Sequence, residues 1–181
     1  MEKKLSHICC SMVALMLLVF LCTFPALAQE KHKQAYTIPG KYRTYTTQNI
    51  LDVKDVPGHQ IRIYELHTVF PTDWPHKTEG LRPVEASQYA VSDYVNWSGR
   101  HYGYEIVIME NGDRTYSKFE GTTYTTPLPQ GKAKTTFSGT STITGGAGKL
   151  RGIRGTYKYT GIFDPTKSLN EATIEGEYWM E

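Results

Sequence analysis

The sequence predicts an all-β fold, a single antiparallel β-barrel of about eight strands, on three observations. Segments of about ten residues alternate apolar and polar side chains and are separated by turn residues. No stretch carries the i, i+3, i+4 spacing of a substantial amphipathic helix. Glycines fall inside the alternating segments, at Gly139, Gly152, Gly155, Gly161 and Gly176, where tightly coiled strands need relief.

The first 28 residues are set apart. Lys3 and Lys4 precede an apolar run from Met12 to Cys22, and Ala26-Leu27-Ala28 offers the small residues of a signal-peptidase site. That run is about half the ~20 residues needed to span a bilayer, so cleavage after Ala28 and a secreted or periplasmic protein without stable membrane insertion are expected. Cys9, Cys10 and Cys22 all lie in this leader, which leaves the remainder without disulfides or thiolate ligands. With Glu2, Lys3 and Lys4 removed the formal charge is +1, a balance that does not suggest a nucleic-acid partner.

Residues 29–49 read as a polar lead-in broken by Pro39-Gly40, with one short strand at 41–48, and residues 50–181 as the barrel domain. In HQIRIYELHTVF (59–70), Ile61, Ile63, Glu65, His67 and Val69 share a face. In ASQYAVSDYVNW (86–97), Tyr89, Val91, Asp93, Val95 and Trp97 do so. Within YGYEIVIMENGDRTYSKFEGTTY (102–124), Asn111-Gly112 predicts a type I′ hairpin turn. A proline loop then leads to strands at 132–144, 150–163 and 172–181.

The stretch from Gly145 to Gly155, GGAGKLRGIRG, is no phosphate loop, because Lys149 is followed by Leu150 and a strand rather than by Ser or Thr and a helix. A tight turn at Gly145, Gly146 and Gly148 is the expected role. Beyond it, Arg151, Arg154 and Lys158 alternate in part with Ile153, Tyr157 and Tyr159, as an outer face does with a packed one.

This glycine stretch resembles the GGTGxFxGxxG hairpin of the allene oxide cyclase and dirigent barrel superfamily. The flanking HYGYEIVIMENGDRTYSKFEGT and TTFSGTSTITGGAGKLRGIRGTYKYTG resemble an uncharacterised bacterial secreted branch of it, over about residues 55–180. The resemblance implies the barrel fold and a lumen holding any functional polar groups. It transfers no catalytic residue, and cyclase or dirigent-like chemistry rests on fold analogy.

If the two apolar faces line a lumen, Glu65 and Asp93 are the candidate catalytic carboxylates. His67, Tyr89, Trp97, His101 and Tyr104 are the candidate ligand-binding residues. The bland alternative is structural: Glu65 turned outward, Asp93 bonded to a neighbour, tyrosines packed across strands. His67, Asp73, His76 and His101 lack paired metal-ligand spacing, so no metal and no cofactor are expected. The leading expectation is a barrel binding a small apolar or aromatic molecule. Its alternatives are a cofactor-free isomerase, cyclase or dirigent-like protein and a structural envelope protein with a filled barrel.

Overall fold

A computed structural model describes residues 29–129, 133–164 and 169–181. Nine strands follow in chain order: β1 (His32–Ile38), β2 (Arg43–Asp52), β3 (His59–Val69), β4 (Pro83–Val95), β5 (Ser98–Met109), β6 (Arg114–Pro127), β7 (Ala133–Ala147), β8 (Ile153–Asp164) and β9 (Leu169–Met180). No α-helix occurs among the described residues. The expected signal segment lies outside them.

All nine strands form one antiparallel sheet in the order β1-β9-β8-β7-β6-β5-β4-β3-β2. Consecutive strands from β2 to β9 are neighbours, the pattern local hairpins produce, and the longest connection among them is residues 70–82 between β3 and β4. β1 breaks the sequence by pairing with β9, from His32 opposite Tyr178 to Ile38 opposite Ala172. The hydrogen-bonded ladder is open between β1 and β2, its two edges. β1 and most of β2 lie in the segment the sequence reading set aside as a lead-in, so the strand expected at 41–48 is preceded by a second one.

The chain passes from one edge to the other through Pro39 and a single 3₁₀ turn at Gly40–Tyr42. Arg43, the first residue of β2, reaches β9: its Nη1 donates to Asn170 Oδ1 at 2.6 Å and to the Asn170 carbonyl at 3.3 Å. Residues of every strand line one cavity, so the sheet is curled about an interior.

The interior is packed unevenly. Towards the β7–β8 turn, Met109, Ile143, Leu150, Ile153, Tyr157 and Tyr178 make a buried apolar cluster in which Leu150 and Ile153 are completely covered. Ile38, Phe70, Trp74 and Ala86 form a second cluster. Trp74 comes from the β3–β4 connection, and its ring packs edge-on against Tyr36 and Tyr42, so this connection covers one end of the cavity.

Two turns differ from the sequence reading. At Asn111-Gly112 only Gly112 has positive φ, and its N–H donates to the Met109 carbonyl, so the hairpin is a type I turn closed by a left-handed glycine. Asn111 Oδ1 instead accepts from the Asp113 N–H, an Asx bond that satisfies the turn without a left-handed Asn. In the glycine stretch Gly145 and Gly146 are extended residues of β7, and only Gly148 and Gly152 have positive φ. Asp113 organises that corner by accepting from the Lys149 N–H at 2.9 Å. The expected alternation beyond it holds: Ile153, Tyr157 and Tyr159 are buried while Lys158 is exposed.

Candidate functional site

The cavity has a volume of about 170 Å³. β3 contributes Arg62, Tyr64, Leu66 and Thr68 to its wall, β4 contributes Ala86, Gln88, Ser92 and Tyr94, and β5 contributes His101, Glu105, Val107 and Met109. These are alternate residues of each strand, as the period of two requires.

On β3 and β4 this parity is opposite to the one expected from the apolar residues. Glu65 and His67 lie on the outer face with Ile63 and Val69, which are both more than half exposed. Asp93 also lies outside, with its side chain 60% exposed and bonded to His59 Nε2 at 2.8 Å. Tyr89 sits opposite Tyr104 in the β4–β5 ladder, and both are exposed. The expectation that Glu65, His67, Asp93, Tyr89 and Tyr104 line the lumen is therefore corrected. Two candidates do line it, His101 and Trp97.

The cause is chemical. A strand face covered with Ile, Val and Tyr reads as an inner face, but β-branched and aromatic residues also favour the exposed side through cross-strand pairing. The inner face of β3 and β4 carries polar residues because it bounds a cavity and not a packed core.

The polar wall has two parts. One is a chain of hydrogen bonds: Asn170 Nδ2 donates to Tyr45 Oη at 2.8 Å, Arg43 Nη1 to Asn170 Oδ1, Arg43 Nη2 to Gln88 Oε1 at 3.2 Å, and Gln88 Nε2 to Glu105 Oε1 at 2.8 Å. Arg43 Nε is buried and has no hydrogen-bond partner among the described residues. Burial pushes the Glu105 carboxyl above the usual carboxylate range, opposed by the Gln88 bond and by the charge of Arg43. Burial also lowers the Arg43 pKa.

The second part centres on His101. Its Nε2 lies 2.8 Å from Tyr159 Oη and its Nδ1 lies 3.2 Å from Thr123 Oγ1, which in turn is 2.7 Å from Tyr94 Oη. With Nδ1 protonated the ring donates to Thr123 and accepts from Tyr159; the other tautomer reverses both. Burial lowers the His101 pKa to about 4, so the imidazole is neutral at pH 7. Tyr159 is raised, first by burial and then by surrounding phenols and carboxylates, and stays a phenol. Gly121 makes room for this pair, since a Cβ there would sit 2.5 Å from Tyr159 Oη and 2.8 Å from His101 Nε2.

At the end of the cavity by the β4–β5 turn stands an aromatic group. Asn96 and Trp97 form that turn with φ of 50° and 64°, the type I′ geometry, which is strained for a bulky Trp. The strained backbone places the indole under Arg62, whose Cζ lies 3.8 Å from the ring centroid, and 5.6 Å from the ring of Phe163. Tyr45 continues the wall, edge-on to Tyr64 at 5.5 Å and to Phe163 at 6.1 Å.

Arg43, Arg62, Gln88, Glu105, Tyr94 and Tyr159 were not selected from sequence as site residues. The alternation of β5 held the available signal: Tyr102 and Tyr104 fall on one face, and His101, Gly103 and Glu105 on the other. Among the described residues no group of three or more His, Cys, Asp or Glu side chains converges as a metal site. Of the residues considered as ligands, His101 is inside, His67 is outside, and His76 packs on Tyr36 and Trp74 in the β3–β4 connection. None of the described helical turns is long and apolar enough to cross a membrane.

The fold and site together define an all-β protein with a curled antiparallel sheet around one aromatic and polar cavity. No family model matches the chain, and no curated protein matches it.

Proposed function

We propose that the protein is a secreted or periplasmic barrel that takes a small, largely apolar or aromatic molecule into its lumen without a cofactor. The observation that carries this reading is the cavity of about 170 Å³ walled by all nine strands. Apolar cavities of about 150 Å³ admit a benzene-sized guest. Closure of the sheet into a barrel is part of the proposal. It is supported by the short passage of the chain between the edge strands and by the Arg43 bonds to Asn170 across them. The likeness of the glycine stretch to the allene oxide cyclase and dirigent superfamily agrees with it. The cavity weighs against a barrel filled by its own side chains.

The buried Glu105 favours a second reading, a cofactor-free isomerase. Its carboxyl, raised by burial above the usual carboxylate range, is suited to proton transfer, and the His101–Tyr159 pair offers a second proton-bearing group. In this reading interior Glu105 takes the role first assigned to Glu65 and Asp93.

The test is ligand capture. Native mass spectrometry of protein purified without denaturation, followed by titration with single-ring aromatics, is expected to show one bound molecule per chain. Ser117→Leu, which adds bulk to the buried wall, is expected to remain folded and lose binding. Equal binding by the filled variant would overturn the reading. Conversion of a bound molecule by wild type but not by Glu105→Gln would favour the isomerase.

A further inference from the structure

The charges of the lumen are unbalanced. Its wall holds two guanidinium groups, Arg43 and Arg62, and one carboxyl group, Glu105. Glu105 is joined to Arg43 through Gln88, so an ionised Glu105 offsets that one guanidinium and leaves Arg62 over. A protonated Glu105 leaves both. The wall is net positive in either state, and His76 or His101 add to the charge when protonated.

Arg62 also has unused donor capacity. Its Nε and Nη2 donate to Gln60 Oε1 at 3.3 and 3.2 Å, and among the described residues no bond engages Nη1. Among the described residues no carboxylate forms an ion pair with it; Asp52 is connected only through Gln60. Burial lowers its pKa, which marks a cation partly stripped of water. Its flat face is occupied by Trp97, so its edge is what remains for a partner. The edge of a guanidinium matches a carboxylate, whose two oxygens accept parallel hydrogen bonds. Around it stand Tyr45, Tyr64, Tyr94, Trp97 and Phe163, a lining suited to a flat ring.

We propose that the ligand is a single-ring aromatic carboxylate whose acid group meets the free edge of Arg62 and whose ring lies among Tyr64, Trp97 and Phe163. This rests on the lumen-binding reading and adds the charge and size of the guest. The cavity volume limits the molecule to about one ring. Arg43 is committed to Asn170 and Gln88 and holds the wall together.

Benzoate and benzyl alcohol separate the two claims, since they share a ring and differ in charge. Calorimetric titration of the folded protein is expected to give benzoate at least about tenfold tighter binding, with Arg62→Gln removing that preference by weakening benzoate far more than benzyl alcohol. Arg62→Lys, which keeps the charge and loses the planar edge, is expected to retain part of the preference and serves if Arg62→Gln does not fold. Benzyl alcohol binding as tightly as benzoate, or benzoate indifferent to both substitutions, would overturn the anion assignment while leaving lumen binding intact. Binding of neither probe would overturn both proposals.

Discussion

The two ends of the interior are built on opposite principles. Towards the β7–β8 turn, Met109, Ile143, Leu150, Ile153, Tyr157 and Tyr178 fill their space with apolar atoms. Towards the β4–β5 turn, Arg62, Tyr94 and His101 surround a space that the protein leaves open, and Trp97 occupies a backbone conformation it disfavours. The first end converts burial into stability. The second spends stability on hydrogen-bonded polar groups and a strained turn, a trade found where a surface must receive something.

If this division is correct, perturbing the packed end changes stability and leaves ligand affinity alone. Leu150→Ala removes a completely buried side chain and is expected to cost about 2–5 kcal/mol in urea unfolding. The folded fraction should bind aromatic ligands as wild type does. A large loss of affinity in folded Leu150→Ala would mean that the two ends are coupled.

The His101 end should show its cost as a pH dependence. An imidazole with a folded pKa of about 4 and an ordinary value of 6.5 binds fewer protons in the folded state than in the unfolded state between those limits. Its contribution is therefore complete above about pH 6.5 and is lost as pH falls towards 4, by about 3 kcal/mol in all. His101→Gln keeps a group able to pair with Tyr159 and is expected to flatten that slope. An unchanged slope would locate the acid sensitivity elsewhere.

Trp97 sharpens the comparison because its two effects oppose each other. Trp97→Gly removes about 1–2 kcal/mol of left-handed strain but also the indole stacked on Arg62, so net stability should move by no more than about 1 kcal/mol. Binding of ring compounds should weaken more clearly. A variant that is much less stable would make the indole a structural pillar and not a wall.

Glu105 tests the polar wall from the other side of the charge balance. With its pKa raised by burial, the folded state holds the proton more firmly than the unfolded state does. Its ionisation therefore removes stability as pH rises from the ordinary value of 4.5 through the folded value. Glu105→Gln is expected to gain on wild type progressively over that range, measured as melting temperature against pH, and to match it at lower pH.

The same contrast explains what could be read in the sequence. The packed end was legible: Ile153 and Tyr157 alternate with polar residues and point inward as expected. The cavity end was not. Tyr64 and Tyr94 lie on faces shared with Arg62, Gln88 and Ser92, which look solvent-exposed, while Ile63, Val91 and Tyr89 look like core. Hydrophobic patterning reports which residues avoid water in a filled interior, and it inverts where the interior is a polar cavity. β1 was missed for a related reason. HKQAYTI is short and half polar, and it is held by pairing with β9, Tyr36 standing opposite Ile174.

 That partner lies far along the chain, and no turn residue between them announces the pairing.

The outer face offers the smallest effect and a control for the rest. His59 joins two carboxylates, with Nδ1 at 2.5 Å from Asp55 Oδ1 and Nε2 at 2.8 Å from Asp93 Oδ1. The bond to Asp55, then the bond to Asp93, raises the His59 pKa, and the bond to His59 lowers that of Asp55. The His59 contribution is present below its ordinary value of 6.5 and is lost as pH rises through its folded value. The Asp55 contribution is present above 3.8 and is lost as pH falls through its own folded value. The clasp is therefore complete between about pH 4 and 6.5, and solvent screening keeps it weak. His59→Asn and Asp93→Asn should each lower the melting temperature slightly within that window, with the difference shrinking in high salt and as pH rises through the folded His59 value. Neither should alter binding of aromatic ligands, because Asp93 faces outward. A loss of binding in Asp93→Asn would return that carboxylate to the site from which its position on β4 removes it.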